Sequence, residues 1–290
     1  MYGPHAHKQL WSFLLAALLA ATEFVYLRGW LCLRSAFPNL IPRWRLTAFA
    51  TGLVLIWTVV GSPLARLDHQ SLTIHMMKHL LLMTVAAPLV LAGAPVFALV
   101  CGLPKLFLKS YPPLAGLSAR WLERRLMYPA LCWLAGTMTV IAWHIPAVFQ
   151  MAFQSNWIHS CEDISFLVAG VLFWLPVVRP LTSGTKPPPW YMPLYLFLAT
   201  LPCDILSAFL TFYGRVAYPS YQIAVGMFSL SPLRDQECAG ALMWIWVTYA
   251  YLIPAVIITV RILSFQSTQL RNTTPASSPS IVHADTSEPR

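Results

Sequence analysis

The sequence predicts an all-α, polytopic membrane protein: a bundle of seven transmembrane helices, N-terminus outside and C-terminus cytoplasmic. Three observations predict it. Of 290 residues, 58% are apolar and only 10% charged, whereas an ordinary soluble domain carries about 25% charged residues. The apolar residues gather into seven runs, each near the ~20-residue length that crosses a hydrocarbon core. Basic residues collect on alternate loops, fourteen on the side holding Arg28, Arg43, Lys105 and Arg179 against four (Lys8, Arg66, Arg215 and Arg234) on the other. Loops rich in Lys and Arg stay cytoplasmic, which sets the orientation.

The runs cover residues 9–31, 46–64, 72–91, 127–149, 158–178, 191–213 and 239–263. The first has a short apolar core like a signal peptide. Its flank carries only Lys8, however, and apolar character resumes through Phe24, Val25, Tyr26 and Leu27, so it reads as an uncleaved helix. Residues 1–8 form a short outer segment, and 9–263 the transmembrane domain. Residues 95–125 read as a cytoplasmic loop with a short interfacial helix over 115–126. The tail, 264–290, is rich in Ser, Thr and Pro and lacks the apolar surface to fold alone, so disorder is expected there. Twelve Trp and eleven Tyr suit interfacial belts facing membrane lipid. The net charge of +9 is assigned to orienting loops, not to a nucleic-acid partner. Six cysteines have no C-x-x-C spacing and read as small apolar fillers.

Seven of the eight histidines fall toward the outer face: His5, His7, His69, His75, His79, His144 and His159, with His283 alone in the tail. Imidazole is the commonest metal ligand and titrates near neutrality, so this gathering points to a metal or proton site. His75 and His79 are one helical turn apart and share a face, the spacing with which two imidazoles hold one ion. Met76 and Met83 lie beside that face, and thioether sulfur suits cuprous copper. His144 precedes Ile145-Pro146, where a kink aims it inward. His159 opens the fifth run, with Glu162 and Asp163 on the same side. Glu162 reads equally well as a helix cap. Asp204 lies within the sixth run, where an ionisable group is costly and suspect; ligation, a hydrogen bond to a ligand imidazole and an ion pair with Lys78 are all open to it. Asp235 sits in the outer loop before the seventh run. The metal ligands are therefore taken as His75, His79, His144 and His159, with Met76, Asp163, Asp204 and Asp235 as further donors or partners of the ligands.

These residues resemble those of the seven-transmembrane CtaG-type (caa3-type) cytochrome c oxidase assembly factors. The likeness covers about residues 20–262. It rests on Tyr26-Leu27-Arg28-Gly29, on His75-Met76-x-x-His79 followed by Pro88-Leu89 and Pro95, on Trp143-His144-Ile145-Pro146, on His159 with Phe173-Trp174, and on Asp235-Gln236 with Gly240 and Met243-Trp244. The resemblance implies a non-enzymatic protein of the bacterial cytoplasmic membrane. It further implies that copper, as Cu+ or Cu2+, passes to subunit I of a haem–copper oxidase, with a periplasmic copper donor as a further partner. His75, His79, His144, His159 and Asp235 match the family's positions. One place departs from the pattern, since Asp163 stands where a second histidine often follows His159. A haem-binding membrane electron carrier is the alternative; a membrane metallohydrolase and a copper permease rank below it.

Overall fold

The structure, a computed structural model, describes residues 4–36, 42–103, 128–183, 189–222 and 230–273. Those residues are 90% helical with no strand. Among the described residues ten α-helices follow one another: α1 (Pro4–Ala36), α2 (Arg43–Ile56), α3 (Leu72–Leu81), α4 (Ala87–Ala92), α5 (Pro95–Gly102), α6 (Pro129–His144), α7 (Pro146–Gln154), α8 (Asn156–Ser183), α9 (Met192–Phe212) and α10 (Pro232–Thr273). Among the described residues six stretches are long and apolar enough to cross a membrane, and the bent pair α6–α7 brings the number to seven. Large apolar side chains such as Phe13, Phe197, Ile205 and Ile257 lie on the outside of the bundle, where lipid rather than water meets them. The chain is a multi-pass membrane protein.

The crossing from Leu72 to Ala92 occupies the centre. It is α3 and α4 joined by a π-turn, Leu82–Ala86. Pro88 explains that turn: in an uninterrupted α-helix its ring would strike the carbonyl four residues back, and a wider turn makes room. In the π-register Ala87 donates to the Leu82 carbonyl. The next donor would be Pro88, which has no N–H, so the Met83 carbonyl loses its partner. Trp174 Nε1 supplies one at 3.0 Å. The turn also divides two cores. Leu82 and Ala86 pack with Tyr26, Phe49 and Ile56 of α1 and α2, while Met83 and Ala87 pack with Phe173, Tyr195 and Tyr251 of α8, α9 and α10.

Two backbone approaches hold α1 and α5 in place. A Cβ on Gly29 would lie 1.7 Å from the Ala98 carbonyl oxygen, and one on Gly102 would lie 1.9 Å from that of Val25. Only glycine permits such contact, the small-residue packing common between membrane helices. Tyr26, fully buried, stacks on Phe49 with ring centroids 4.0 Å apart and donates to the Gly93 carbonyl at 2.8 Å. That bond secures the reversal between α4 and α5, where Ala94 adopts a left-handed φ of 49°.

The fourth crossing breaks as Pro146 predicts. Ile145 is extended, as a residue before proline tends to be, and α7 turns from α6 by 76°. Helix extends to both ends of the described residues. The short outer segment is already helical from Pro4, and α10 runs on to Thr273 beyond the expected start of the tail. Pro254 lies inside α10 without ending it, and the Ser264, Ser267 and Thr268 hydroxyls bond back to carbonyls three or four residues earlier. Most of the 95–125 loop, with its expected interfacial helix, lies outside the described residues, as do 274–290 and the side chains of His5 and His7. What is described of that loop, α5, packs against α1.

Candidate functional site

The site begins at the N-terminus of α3. Ser71 caps it, and Asp235, in the first turn of α10, reinforces the cap from outside. Its carboxylate accepts from Ser71 Oγ at 2.8 Å, from the Leu72 amide at 2.6 Å and from Thr73 Oγ1 at 2.7 Å. A carboxylate suits the positive end of a helix and satisfies amides that have no partner within it. Asp235 thus fastens α10 to α3, with its oxygens already engaged.

From that fixed start α3 presents its side chains in angular order. At about 100° per residue, Lys78, His75, His79 and Met76 follow one another round the helix, and Met83 follows in the π-turn. The first three face α8 and the short 3-10 helix Pro63–His69. All are buried, His75 3%, Lys78 5% and His79 4% exposed. Opposite them α8 offers His159, Glu162 and Asp163, at spacings of three and four that place them on one face.

Lys78 Nζ lies 2.7 Å from Asp68 Oδ2, 2.9 Å from Asp163 Oδ1 and 2.8 Å from His159 Nε2. His159 has carboxylates at both ring nitrogens, Asp68 at 2.9 Å from Nε2 and Glu162 at 3.1 Å from Nδ1. Glu162 Oε1 in turn lies 3.4 Å from His75 Nε2 and 3.8 Å from His79 Nε2, and Asp163 Oδ1 is 3.6 Å from His79 Nε2. The cluster therefore holds three buried carboxylates and one ammonium, which meets two of them. The excess negative charge calls for imidazolium or a bound cation, because buried charge is costly unless paired.

Asp68 lies outside the crossings. Burial acts to raise its pKa, but the hydrogen bond with His159 and the charge of Lys78 outweigh burial and hold the carboxyl below its ordinary value. Tyr221 donates to the Asp68 carbonyl at 2.7 Å; burial first, then the nearby carboxylates of Asp68 and Glu162, push its phenol well above the ordinary value.

Among the described residues two groups of side chains have the geometry to hold a metal ion. The ligand atoms of His75, His79 and Glu162 lie within 4.8 Å of one another, and so do those of Asp68, His75 and His159. In the first group His75 Nε2 and His79 Nε2 are buried without a hydrogen-bond partner. Their rings meet edge to face with centroids 4.5 Å apart. Aromatic side chains from α7 lie over this cluster, Phe149 5.0 Å from the His75 ring and Phe153 5.1 Å from that of His69. On its flank Asp68, Lys78, His159 and Asp163 border a cavity of about 710 Å³, walled by Trp11, Val60 and Trp157.

His75, His79, His159 and Asp163 thus come together, while His144 and Met76 pair on the next face of α3. His144 Nε2 lies 3.2 Å from Met76 Sδ, and its Nδ1 2.7 Å from the Val140 carbonyl. Asp204 stands apart, half-buried in α9 with Oδ1 lacking a hydrogen-bond partner; the partners of Lys78 are Asp68 and Asp163 instead. Asp68 escapes notice in the sequence because it lies between crossings, although Asp68-His69 pairs an acid with an imidazole at the histidine-bearing end. Glu162 is visible there on the His159 side of its helix, but reads equally well as a helix cap.

No curated protein and no solved structure matched the chain. The model of the cytochrome c oxidase caa3 assembly factor family matches residues 24–264. That range takes in the whole cluster, the Pro146 break, the Trp174–Met83 bond and the Gly29–Gly102 contact, and the chain belongs to the cytochrome c oxidase caa3 assembly factor family.

Proposed function

We propose that this assembly factor carries copper as its cargo, holds it between His75, His79 and Glu162, and yields it to subunit I of a haem–copper oxidase. Asp68 and His159 form the adjoining ligand group. The observation that carries this reading is the pair of bare imidazole nitrogens buried beside one carboxylate oxygen. Two imidazoles and a carboxylate are a donor set that copper accepts in either oxidation state, and the surplus of carboxylates over ammonium favours a cation. The role is not enzymatic: the cluster binds and releases. The protein lies in the bacterial cytoplasmic membrane with its N-terminus outside, so the cluster opens toward the outer face, where a periplasmic donor loads it.

The test is metal analysis of the purified chain in detergent, with copper titrated against a competing chelator. Wild type retains copper after desalting, whereas His75→Ala combined with His79→Ala does not. Membranes of the double variant lose oxidase activity while the protein remains inserted. Unchanged copper content and oxidase activity in that variant would overturn the proposal, and an intense Soret band in the wild type would replace copper with haem.

A further inference from the structure

Between α3, α6, α9 and α10 lies a cavity of about 20 Å³, bordered by His79, His144, Met76, Met83, Cys203 and Met243. That volume admits about one water-sized atom. Methionines often fill irregular core gaps, so sulfur alone would mark only loose packing. The imidazole decides otherwise. The Val140 carbonyl accepts only, so the proton of His144 sits on Nδ1, 2.7 Å from that oxygen. The neutral ring then has a bare lone pair at Nε2, which faces Met76 Sδ at 3.2 Å. Thioether sulfur has no proton to give. Two lone pairs confront each other beside a hole inside a membrane bundle.

We infer that this cavity is a second metal site, selective for cuprous ion, in which His144 Nε2 and Met76 Sδ are ligand atoms and the sulfurs of Met83, Cys203 and Met243 supply the remaining donors. Metal bonds of about 2.0 Å to nitrogen and 2.3 Å to sulfur from atoms 3.2 Å apart enclose an angle of about 95°. The ion therefore sits to one side of the pair, in the cavity. Thioethers and an imidazole without a carboxylate select a soft monovalent ion, and an uncompensated divalent charge would be costly there. The site is distinct from the carboxylate-rich cluster in donors and in charge. His79 borders the cavity and belongs to the first cluster, so the two sites adjoin along one helix.

The full chain in detergent is titrated with Ag(I), a redox-inert stand-in for Cu(I), against a chelator strong enough to strip isolated surface thioethers. Zn(II) is titrated in parallel. Wild type binds Ag(I) with sulfur neighbours in its X-ray absorption spectrum. Met76→Leu, a volume-conserving change, weakens Ag(I) binding by about tenfold or more, equivalent to about 1.4 kcal/mol, and Met76→Leu with Met83→Leu abolishes it. Zn(II) binding is unchanged in both variants. His75→Ala has the reverse pattern, losing Zn(II) and keeping Ag(I). Equal Ag(I) affinity in the double Leu variant, an absorption spectrum with only nitrogen and oxygen neighbours, or no Ag(I) uptake by wild type would each overturn the inference. Loss of Zn(II) and Cu(II) binding with sulfur-ligated Ag(I) retained would refute the copper cluster of the preceding section and leave this site standing.

Discussion

Lys78 and Asp68 form an ion pair at 2.7 Å, with the lysine 5% and the aspartate 1% exposed. The lysine comes from a membrane crossing, the aspartate from the 3-10 helix before it. Removing one member of a buried pair leaves the other as an uncompensated charge, at about 3–5 kcal/mol. Lys78→Met is therefore expected to lower the melting temperature in detergent sharply, since Asp68 and Asp163 both lose their cation. Adding Asp68→Asn should restore part of the loss. Equal melting temperatures for Lys78→Met and wild type would show that the pair carries no stability.

Asp235 gives a prediction of opposite kind. Its carboxylate is occupied at the N-terminus of α3, so Asp235→Ala should cost about 1–2 kcal/mol, the usual loss of a helix cap. Bound copper per chain should stay the same. Thermal melts with metal analysis separate the two effects, and copper lost from a still-folded variant would make Asp235 a ligand.

The Trp174 indole satisfies a carbonyl that Pro88 leaves without a donor. Trp174→Phe keeps most of the ring and removes the N–H, so the Met83 carbonyl stays buried and unpaired. About 1–3 kcal/mol of stability should go with it, read as a lower midpoint of thermal unfolding. Pro88→Ala in the same background restores a backbone donor and should recover part of that loss.

The lowered pKa of Asp68 fixes a pH dependence. Above the ordinary carboxylate value of about 3.9, folded and unfolded chains both carry the charge, and the contribution is fully present. As pH falls through that value the unfolded chain takes up its proton first, so stability drops until the folded carboxyl also protonates. This group should leave the melting temperature flat from neutral pH to about 5 and lower it below about 4. Asp68→Asn should flatten part of that acid limb; an identical acid limb in the variant would exclude Asp68 as its source.

The sequence made the crossings legible, because lipid demands apolar runs of fixed length, and it made the Pro146 break legible, because proline lacks a donor. The face shared by His75 and His79 was legible for the same kind of reason, a helical period. Asp68 and Glu162 were harder. Acids near helix ends are commonly solvated caps, and nothing local tells one from a carboxylate turned inward by a neighbouring helix. Asp235 shows the converse, a suspected site acid spent on capping. The division between carboxylate-facing and sulfur-facing sides of α3 depends on how that helix is rotated in the bundle, which long-range packing alone sets.

The 76° turn at Ile145–Pro146 bears on the lifetime of any cargo. Because α7 folds across the histidine-bearing end, Phe149 and Phe153 roof the imidazoles beneath them. An ion seated there leaves only when that roof lifts or when it escapes sideways past Lys78. On the proposed copper role, the dwell time would then follow the motion of one short helix more than the strength of any metal–nitrogen bond.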